Sequence, residues 1–193
     1  WSSDVCSSDL LKIVLSEAKR LSALVSTFLD ISKYEEDKAI LNKTSFDIIE
    51  MIRVVLMSFE AKIREKEIEA SFEFENENSF VFADENEIHR VILNLIENAV
   101  KFTPENGAIK ISVTSKGEKT KISVSNTGQG ITQNDKQYIW DRFYKTDKSR
   151  TDAENGFGLG LFIVKSIINQ HEEEIILDNY KDLTVFTFTL PTV

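Results

Sequence analysis

Three stretches, far apart in the chain, carry the side chains that could do chemistry. They are Asn94–Phe102 (Asn-Leu-Ile-Glu-Asn-Ala-Val-Lys-Phe), Asn126–Ile131 (Asn-Thr-Gly-Gln-Gly-Ile) and Gly156–Leu161 (Gly-Phe-Gly-Leu-Gly-Leu). Around the first, apolar residues recur every three or four positions, which predicts an amphipathic helix. At roughly 100° per residue, Asn94, Asn98 and Lys101 share an arc of about 60° on another side of that helix. Such a polar strip, taken alone, is more often a solvated face than a site.

The two glycine-rich stretches change that balance. Without a Cβ, a backbone N–H group can approach a phosphate oxygen closely. The second of these stretches also opens a predicted helix, whose N-terminus favours anions. A tight turn explains any single glycine equally well. Together with the polar strip, the glycines indicate a site for a phosphate-containing ligand.

The ordered set of motifs resembles the ATP-binding domain of sensor histidine kinases, within the superfamily shared with gyrase, heat-shock chaperones and mismatch-repair ATPases. Asn94–Phe102 resembles the N box, Asn126–Ile131 the first glycine box, Asp141–Tyr144 the F box and Gly156–Leu161 the second glycine box. The likeness covers about residues 10–190. Four motifs in family order are far more specific than one glycine motif.

The resemblance implies the role of each site residue. Asn98 matches the Mg²⁺ ligand, Lys101 a phosphate contact and Phe102 a ring against the adenine. Asn126 stands where the family usually has Asp accepting from the adenine amino group; a carboxamide keeps an acceptor oxygen and adds a donor. The other implied ATP contacts are Gly128, Gly130, Ile131, Lys145, Gly156, Gly158, Leu159, Gly160 and Leu161.

Asn94 bears on the type of reaction. In the hydrolase branches of the superfamily the matching residue is a Glu that activates water, and a carboxamide cannot accept that proton at neutral pH. The resemblance therefore implies transfer to a histidine with slow hydrolysis. Glu97, about 60° away from Asn94 on the helix, is expected to assist the acceptor, so the catalytic residues expected are Asn94, Glu97 and Lys101.

Composition limits the other possibilities. A net charge of −9 over 193 residues argues against a nucleic-acid surface. One cysteine excludes an internal disulfide and fits a reducing, cytoplasmic compartment. No apolar run approaches the roughly 18 residues of a membrane span. With two histidines and one cysteine, a structural zinc site is not expected.

The N-terminal part predicts a separate unit. Residues 1–9 form an aperiodic leader that looks foreign to the rest. Residues 10–44 resemble the second helix of a kinase dimerisation hairpin, followed by a charged linker, and 45–193 the catalytic domain. The hairpin helix with the phosphoacceptor histidine is expected to be absent. His89 is interpreted as a surface residue and His171 as a cation at a helix C-terminus.

The periodicities along 45–193 predict an α+β fold. Helices are expected at 46–66, from an N-cap at Asp84 to about 102, and at 158–170, with strands at 68–74, 80–82, 109–115, 121–125, 174–178 and 184–190. This is a two-layer α/β sandwich (the Bergerat-type ATP-binding fold implied by the resemblance), with helices on one face of a mixed sheet and a long helix before it.

The function expected from this resemblance is ATP- and Mg²⁺-dependent phosphorylation of a histidine, for relay to a response-regulator receiver domain. The parent is expected to be a homodimeric protein-histidine kinase. Two alternatives stay open: an anti-sigma-type serine kinase, and a degenerate nucleotide-binding or dimerisation module in which Asn126 has weakened ATP binding.

Overall fold

A computed structural model describes residues 9–12, 14–15, 17–18, 21, 25, 40–145 and 157–193. The chain divides into two compact units, 1–39 and 40–193. In the first unit the described residues are helical and exposed, and the Lys12 ammonium lies 3.3 Å from the Asp9 carboxylate. The predicted first helix is therefore present over its described residues, while its remainder and residues 1–8 lie outside them.

The second unit contains the predicted helices and strands in the predicted order, together with one strand and one short helix that were not predicted. They are β1 (Lys43–Asp47), α1 (Ile48–Glu65), β2 (Glu69–Phe74), β3 (Phe80–Asp84), α2 (Glu85–Phe102), β4 (Ala108–Lys116), β5 (Lys119–Thr127), α3 (Gln133–Lys136), α4 (Gly160–Gln170), β6 (Ile175–Tyr180) and β7 (Leu183–Pro191). None of the helices in the described parts of the chain is long and apolar enough to cross a membrane.

The main sheet has five strands in the order β2-β4-β5-β7-β6. The β2–β4 pair is parallel and the other pairs are antiparallel, so the sheet is mixed as predicted. One face of each central strand is buried, because apolar side chains alternate with Ser, Thr and Lys. The buried residues of α1, α2 and α4 cover that face and complete the core.

Helix α2 forms as its sequence requires. Its N-cap is Asp84, whose carboxylate accepts a hydrogen bond from the Glu87 N–H at 3.3 Å. It ends at Phe102, where Thr103 adopts an extended conformation before Pro104. The stripe of Ile88, Val91, Ile92, Leu95, Ile96 and Ala99 is fully buried, so the polar strip lies on a different side of the helix.

One strand was not predicted from the sequence. Residues 43–45, assigned to the charged linker, form the first part of β1, and the strand continues through Phe46 to Asp47, where the sequence predicts the start of α1. β1 pairs antiparallel with β3, with Ser45 opposite Phe82. The segment Lys-Thr-Ser-Phe-Asp is too short and polar to show a strand period. Its partner strand, 33 residues or more along the chain, therefore decides its conformation.

Candidate nucleotide-binding site

The polar strip of α2 is half-buried and faces the start of α4. The Asn94 Nδ2 donates to the Arg90 carbonyl at 2.8 Å, which turns its Oδ1 outward. Asn98, one turn later, has no hydrogen bond from its carboxamide to another described residue, and it is half-buried. The Lys101 Nζ lies 4.9 Å from the centroid of the Phe102 ring, which is 48% exposed. An amide oxygen, a cation and an accessible aromatic face are thus aligned along the last two turns.

The second glycine box meets this strip directly. A Cβ on Gly160 would lie 2.7 Å from the Asn94 Oδ1, a distance that real Cβ atoms essentially never show. A side chain at position 160 would therefore have to displace the Asn94 carboxamide, so α4 begins in direct contact with the polar strip of α2. Leu159 is buried and makes no side-chain cap, so the first N–H groups of α4 have no side-chain acceptor at the cap position. Leu161 is half-buried in the first turn of α4.

Gly158 lies against the backbone at the end of the F box. Its φ is +71°, and a Cβ there would lie 2.6 Å from the Tyr144 carbonyl oxygen. The end of the F box and the second glycine box are therefore in contact through their backbones. Gly156 lies outside the described residues.

Asn126 ends the buried face of β5, between Ile109 of β4 and Thr184 of β7. It is 7% exposed. Its Nδ2 donates to the Thr127 carbonyl at 3.1 Å, so Oδ1 is left as an acceptor at the edge of the site. One of the two N–H donors that distinguish Asn from Asp is thus used on the backbone of the next residue.

The first glycine box is held between α2 and the β6–β7 turn. The Gly128 N–H donates to the Asp182 carbonyl at 2.8 Å. A Cβ on Gly128 would lie 2.7 Å from the Phe102 carbonyl oxygen. On the other end of the loop, the Asn179 side chain bonds both the N–H and the carbonyl of Ile131. Sequence analysis missed Asn179, because no local signal links it to a loop 48 residues away.

An open pocket of about 670 Å³ lies between the end of α2 and this loop. Lys66, Lys101, Phe102, Gly128 and Asp182 are among the residues that line it. Its volume is within the range of small-molecule sites. A smaller cavity of about 330 Å³, between the starts of α1 and α2, contains none of the predicted site residues.

Lys66 is a second residue that sequence analysis missed. From the turn after α1, its Nζ donates to the carbonyls of Val100, Lys101 and Thr103, each at 2.9 Å. These carbonyls belong to the end of α2, where the helix dipole favours a cation. Lys66 therefore holds the helix end that carries Lys101 and Phe102.

The F box contacts α4, and Trp140, the residue just before it, contacts the sheet. Trp140 packs edge-on against Phe186 of β7, with 5.9 Å between ring centroids. The Arg142 guanidinium lies 4.6 Å from the centroid of Phe162 in α4. The Tyr144 hydroxyl donates to Asp135. Hydrogen bonds from two hydroxyls lower the pKa of the Asp135 carboxyl, and the bond from Thr132 has a larger effect than the bond from Tyr144. Lys145 is half-buried at the last described position before the gap at 146–156.

The two histidines differ sharply. His89 is exposed, as expected. His171 is 3% exposed and follows α4; its Nε2 accepts the Asp84 N–H at 3.0 Å, and its Nδ1 lies 2.8 Å from the Ile167 carbonyl. Because Nε2 is an acceptor, the proton is on Nδ1 and the ring is neutral. Burial lowers the pKa of His171, so its interpretation as a cation at a helix end is wrong.

The predicted residues thus fall into one arrangement, with some exceptions. The structure brings Asn94 beside Gly160, and Phe102 beside Gly128. Glu97, expected to act in catalysis, is exposed, and no hydrogen bond or ion pair links its side chain to another described residue. An aromatic ring, carboxamides, a lysine and two glycine loops are thus brought together, as a nucleotide site of the predicted Bergerat type requires.

Comparison with known proteins agrees. Residues 83–193 match the family of histidine kinase-, DNA gyrase B- and HSP90-like ATPases. The sensor histidine kinase WalK of Bacillus subtilis is 31% identical over 194 residues, covering 99% of this chain and 32% of its own length. The catalytic domain of the histidine kinase ThkA superposes with a TM-score of 0.71 at 38% identity, covering 78% of this chain and 96% of that domain. The structure of ThkA in complex with the response regulator TrrA superposes with a TM-score of 0.76 at 34% identity, covering 95% of this chain and 51% of the matched chain.

The chain therefore belongs to the family of histidine kinase-, DNA gyrase B- and HSP90-like ATPases. Within it, this chain is an ATP-binding catalytic domain of the sensor histidine kinase type. The expected kinship and fold are confirmed, and the comparisons give no support to the anti-sigma-type serine kinase. The chain spans about a third of the length of WalK.

Proposed function

We propose that this chain binds ATP with Mg²⁺ and supplies the catalytic domain of a protein-histidine kinase. The observation that carries the proposal is the contact between α2 and both glycine boxes, through Gly160 at Asn94 and Gly128 at Phe102. An ATP molecule spanning these contacts would have its base near Phe102 and its phosphates near the start of α4.

The described residues suit a nucleotide in particular ways. The exposed Phe102 ring offers a face for adenine, and the Asn126 Oδ1 an acceptor for the adenine amino group. Gly130 and Ile131 would complete the base loop. The N–H groups from Gly158 to Leu161, with Lys101, would contact the phosphates. Lys145 is proposed to reach the γ-phosphate, and the N–H of Gly156, which lies outside the described residues, is proposed to point toward the phosphates.

The Mg²⁺ requirement is argued from Asn98. Its carboxamide is not committed to another described residue, and amide oxygens are suitable ligands for Mg²⁺. Among the described residues, no group of three or more His, Cys, Asp or Glu could hold a metal. The ion would therefore be bound by Asn98 together with nucleotide phosphates and water. Bound there, it would neutralise charge on the transferred phosphoryl group.

Asn94 favours transfer over hydrolysis. Its Nδ2 is engaged with Arg90, and a carboxamide takes no proton at neutral pH. Without a base on this helix position, activation of water is weak. We propose that the acceptor nucleophile is a histidine, and that Glu97 lies where it would assist that residue.

We also propose that neither histidine of this chain accepts the phosphoryl group. Both nitrogens of the buried His171 are hydrogen-bonded. His89 lies 12 residues before Lys101 on α2, which is about 18 Å along the axis at 1.5 Å per residue. The acceptor is then supplied in trans, by a dimerisation hairpin of a homodimer, and a response-regulator receiver domain takes the phosphoryl group from it.

The proposed response-regulator partner is argued from the similar kinases. ThkA is similar along 95% of this chain and has been solved with its response regulator TrrA. A cytoplasmic location is proposed because the ATP substrate is found there and the single cysteine suits a reducing compartment.

Calorimetric titration of ATP, with Mg²⁺ and with chelator, tests the site. We expect Asn98→Ala to weaken Mg²⁺-dependent binding by about 10- to 100-fold. Asn86→Ala, an exposed asparagine in the first turn of the same helix, should bind as the parent does. No ATP binding by the folded parent would refute the proposal and favour the degenerate module.

The phosphoacceptor proposal has its own test. After incubation with labelled ATP, the chain alone should carry no acid-labile label. Adding a hairpin helix with a histidine from a kinase of this type should produce label on that helix. Label on this chain that disappears in His89→Gln would overturn the trans mechanism while leaving ATP binding intact.

A further inference from the structure

The side chain of Asn179, in β6, hydrogen-bonds the backbone of the first glycine box as a neighbouring strand would. Its Oδ1 accepts the Ile131 N–H at 3.3 Å, and its Nδ2 donates to the Ile131 carbonyl at 2.9 Å. The Thr184 hydroxyl also donates to Oδ1 at 3.4 Å, which fixes the orientation of the amide. A single side chain therefore satisfies both backbone groups of one loop residue, as a neighbouring strand would.

Gly130 is shaped by the same carboxamide. Its φ is +68°, and a Cβ there would lie 2.9 Å from the Asn179 Oδ1 and 3.1 Å from Nδ2. The glycine thus allows the side-chain amide to lie flat against the loop backbone. A second hydrogen bond, from the Gly128 N–H to the Asp182 carbonyl, holds the other end of the loop.

The loop has little else to order it. Gln129 is exposed, and Ile131 is only half-buried. The segment has no place in the sheet, so hydrogen bonds from the β6–β7 region replace packing. If these hydrogen bonds were lost, the loop would become ordered only when the ligand binds. The conformational entropy lost at that step would make binding weaker.

We propose that Asn179 is a positioning residue for the nucleotide, which holds Gly130 and Ile131 in the binding conformation without touching the ligand. The inference rests on the proposed ATP function of this site. Because the loop adjoins Asn126 and Phe102, it acts on the nucleoside end. Loss of Asn179 therefore weakens ATP and ADP by the same factor, and their affinity ratio stays as in the parent.

Two variants separate this role from a structural one. Asn179→Ala removes both bonds, and Asn179→Asp keeps the shape but loses the Nδ2 donor and sets a carboxylate against the Ile131 carbonyl. Asn169→Ala, an exposed asparagine of α4, is the control. Affinities for ATP and ADP are measured by calorimetry well below each melting temperature. Hydrogen exchange of the 128–131 backbone is followed without ligand.

We expect both Asn179 variants to bind ATP and ADP about tenfold more weakly, with faster exchange at Ile131 and unchanged control values. Asn179→Asp decides the matter if Asn179→Ala does not fold. Parent-like affinity in a folded Asn179 variant, even with a lowered melting temperature, would overturn the positioning role but leave the ATP site standing. Failure of the parent itself to bind either nucleotide would overturn both.

Discussion

Replacing Gly158 by alanine tests why the second glycine box needs a glycine at this position. The reason is either the positive φ alone or also the close approach of its backbone to the Tyr144 carbonyl. Gly117, in the β4–β5 turn, is the matched control: its φ is +64° against +71° for Gly158. Both substitutions force alanine into the left-handed region, which costs about 1–2 kcal/mol. They differ in space, because no described atom lies within 4 Å of a Cβ on Gly117.

At Gly158 the added Cβ would lie 2.6 Å from the Tyr144 carbonyl oxygen and 2.9 Å from the Phe143 carbonyl carbon. Ordinary contact begins at 3.4 Å, so one backbone must move by 3.4 − 2.6 = 0.8 Å. Overpacking of this kind adds about 1–3 kcal/mol. We therefore expect Gly158→Ala to lose about 2–5 kcal/mol locally, against about 1–2 kcal/mol for Gly117→Ala.

The discriminating measurement is ATP affinity beside chemical denaturation. A shift of this size in the loop should weaken ATP binding by about 10- to 100-fold in Gly158→Ala, while Gly117→Ala binds as the parent does. If both variants lose equal stability and both keep parent affinity, the backbone contact at Gly158 has no role in the site, and the reasoning is refuted.

Two further predictions concern residues outside the family motifs. Lys66→Met should reduce the free energy of unfolding by about 1–3 kcal/mol, because two carbonyls of α2 and that of its C-cap residue Thr103 lose a charged donor. Lys62→Met, at an exposed position of α1, should change the stability little. Equal melting temperatures for the two variants would contradict the capping role of Lys66. His171 is neutral in the folded chain, and burial lowers its pKa from the ordinary value of 6.5. As the pH falls, the imidazole is therefore protonated in the unfolded chain at a higher pH than in the folded chain. Stability should be full above pH 6.5 and fall as the pH drops below it, by at most about 1.4 kcal/mol per pH unit from this group. Denaturation from pH 7.5 to 5.5 should show a steeper decline in the parent and in His89→Gln than in His171→Gln, and parallel curves for all three would contradict this.

Much of the fold follows from local sequence. The 3.6-residue period from Ile88 to Ala99, with Asp84 before it, specifies α2 almost to the residue. The alternation in β4 and β5 and the turn at Gly117 specify that hairpin. These features are local, because side-chain burial on one face of an element repeats with the period of the backbone.

Other features depend on partners far away in the chain. β1 is a strand because β3 pairs with it, and the neutral state of His171 follows from the Asp84 N–H that it accepts. A period in the sequence carries no information on such contacts. A histidine after a helix is equally compatible with a cation on the surface and with a neutral ring in the core.

The sequence by itself determined the class of the protein, since the order of its carboxamides, lysine and glycines marks an ATP-binding kinase domain. Tertiary structure alone decided how those residues are held. Asn179 orders the first glycine box, and Lys66 secures the end of α2, each through hydrogen bonds to backbone groups more than 30 residues away. Backbone acceptors and donors are the same at every residue, so only the folded chain shows which of them a side chain reaches.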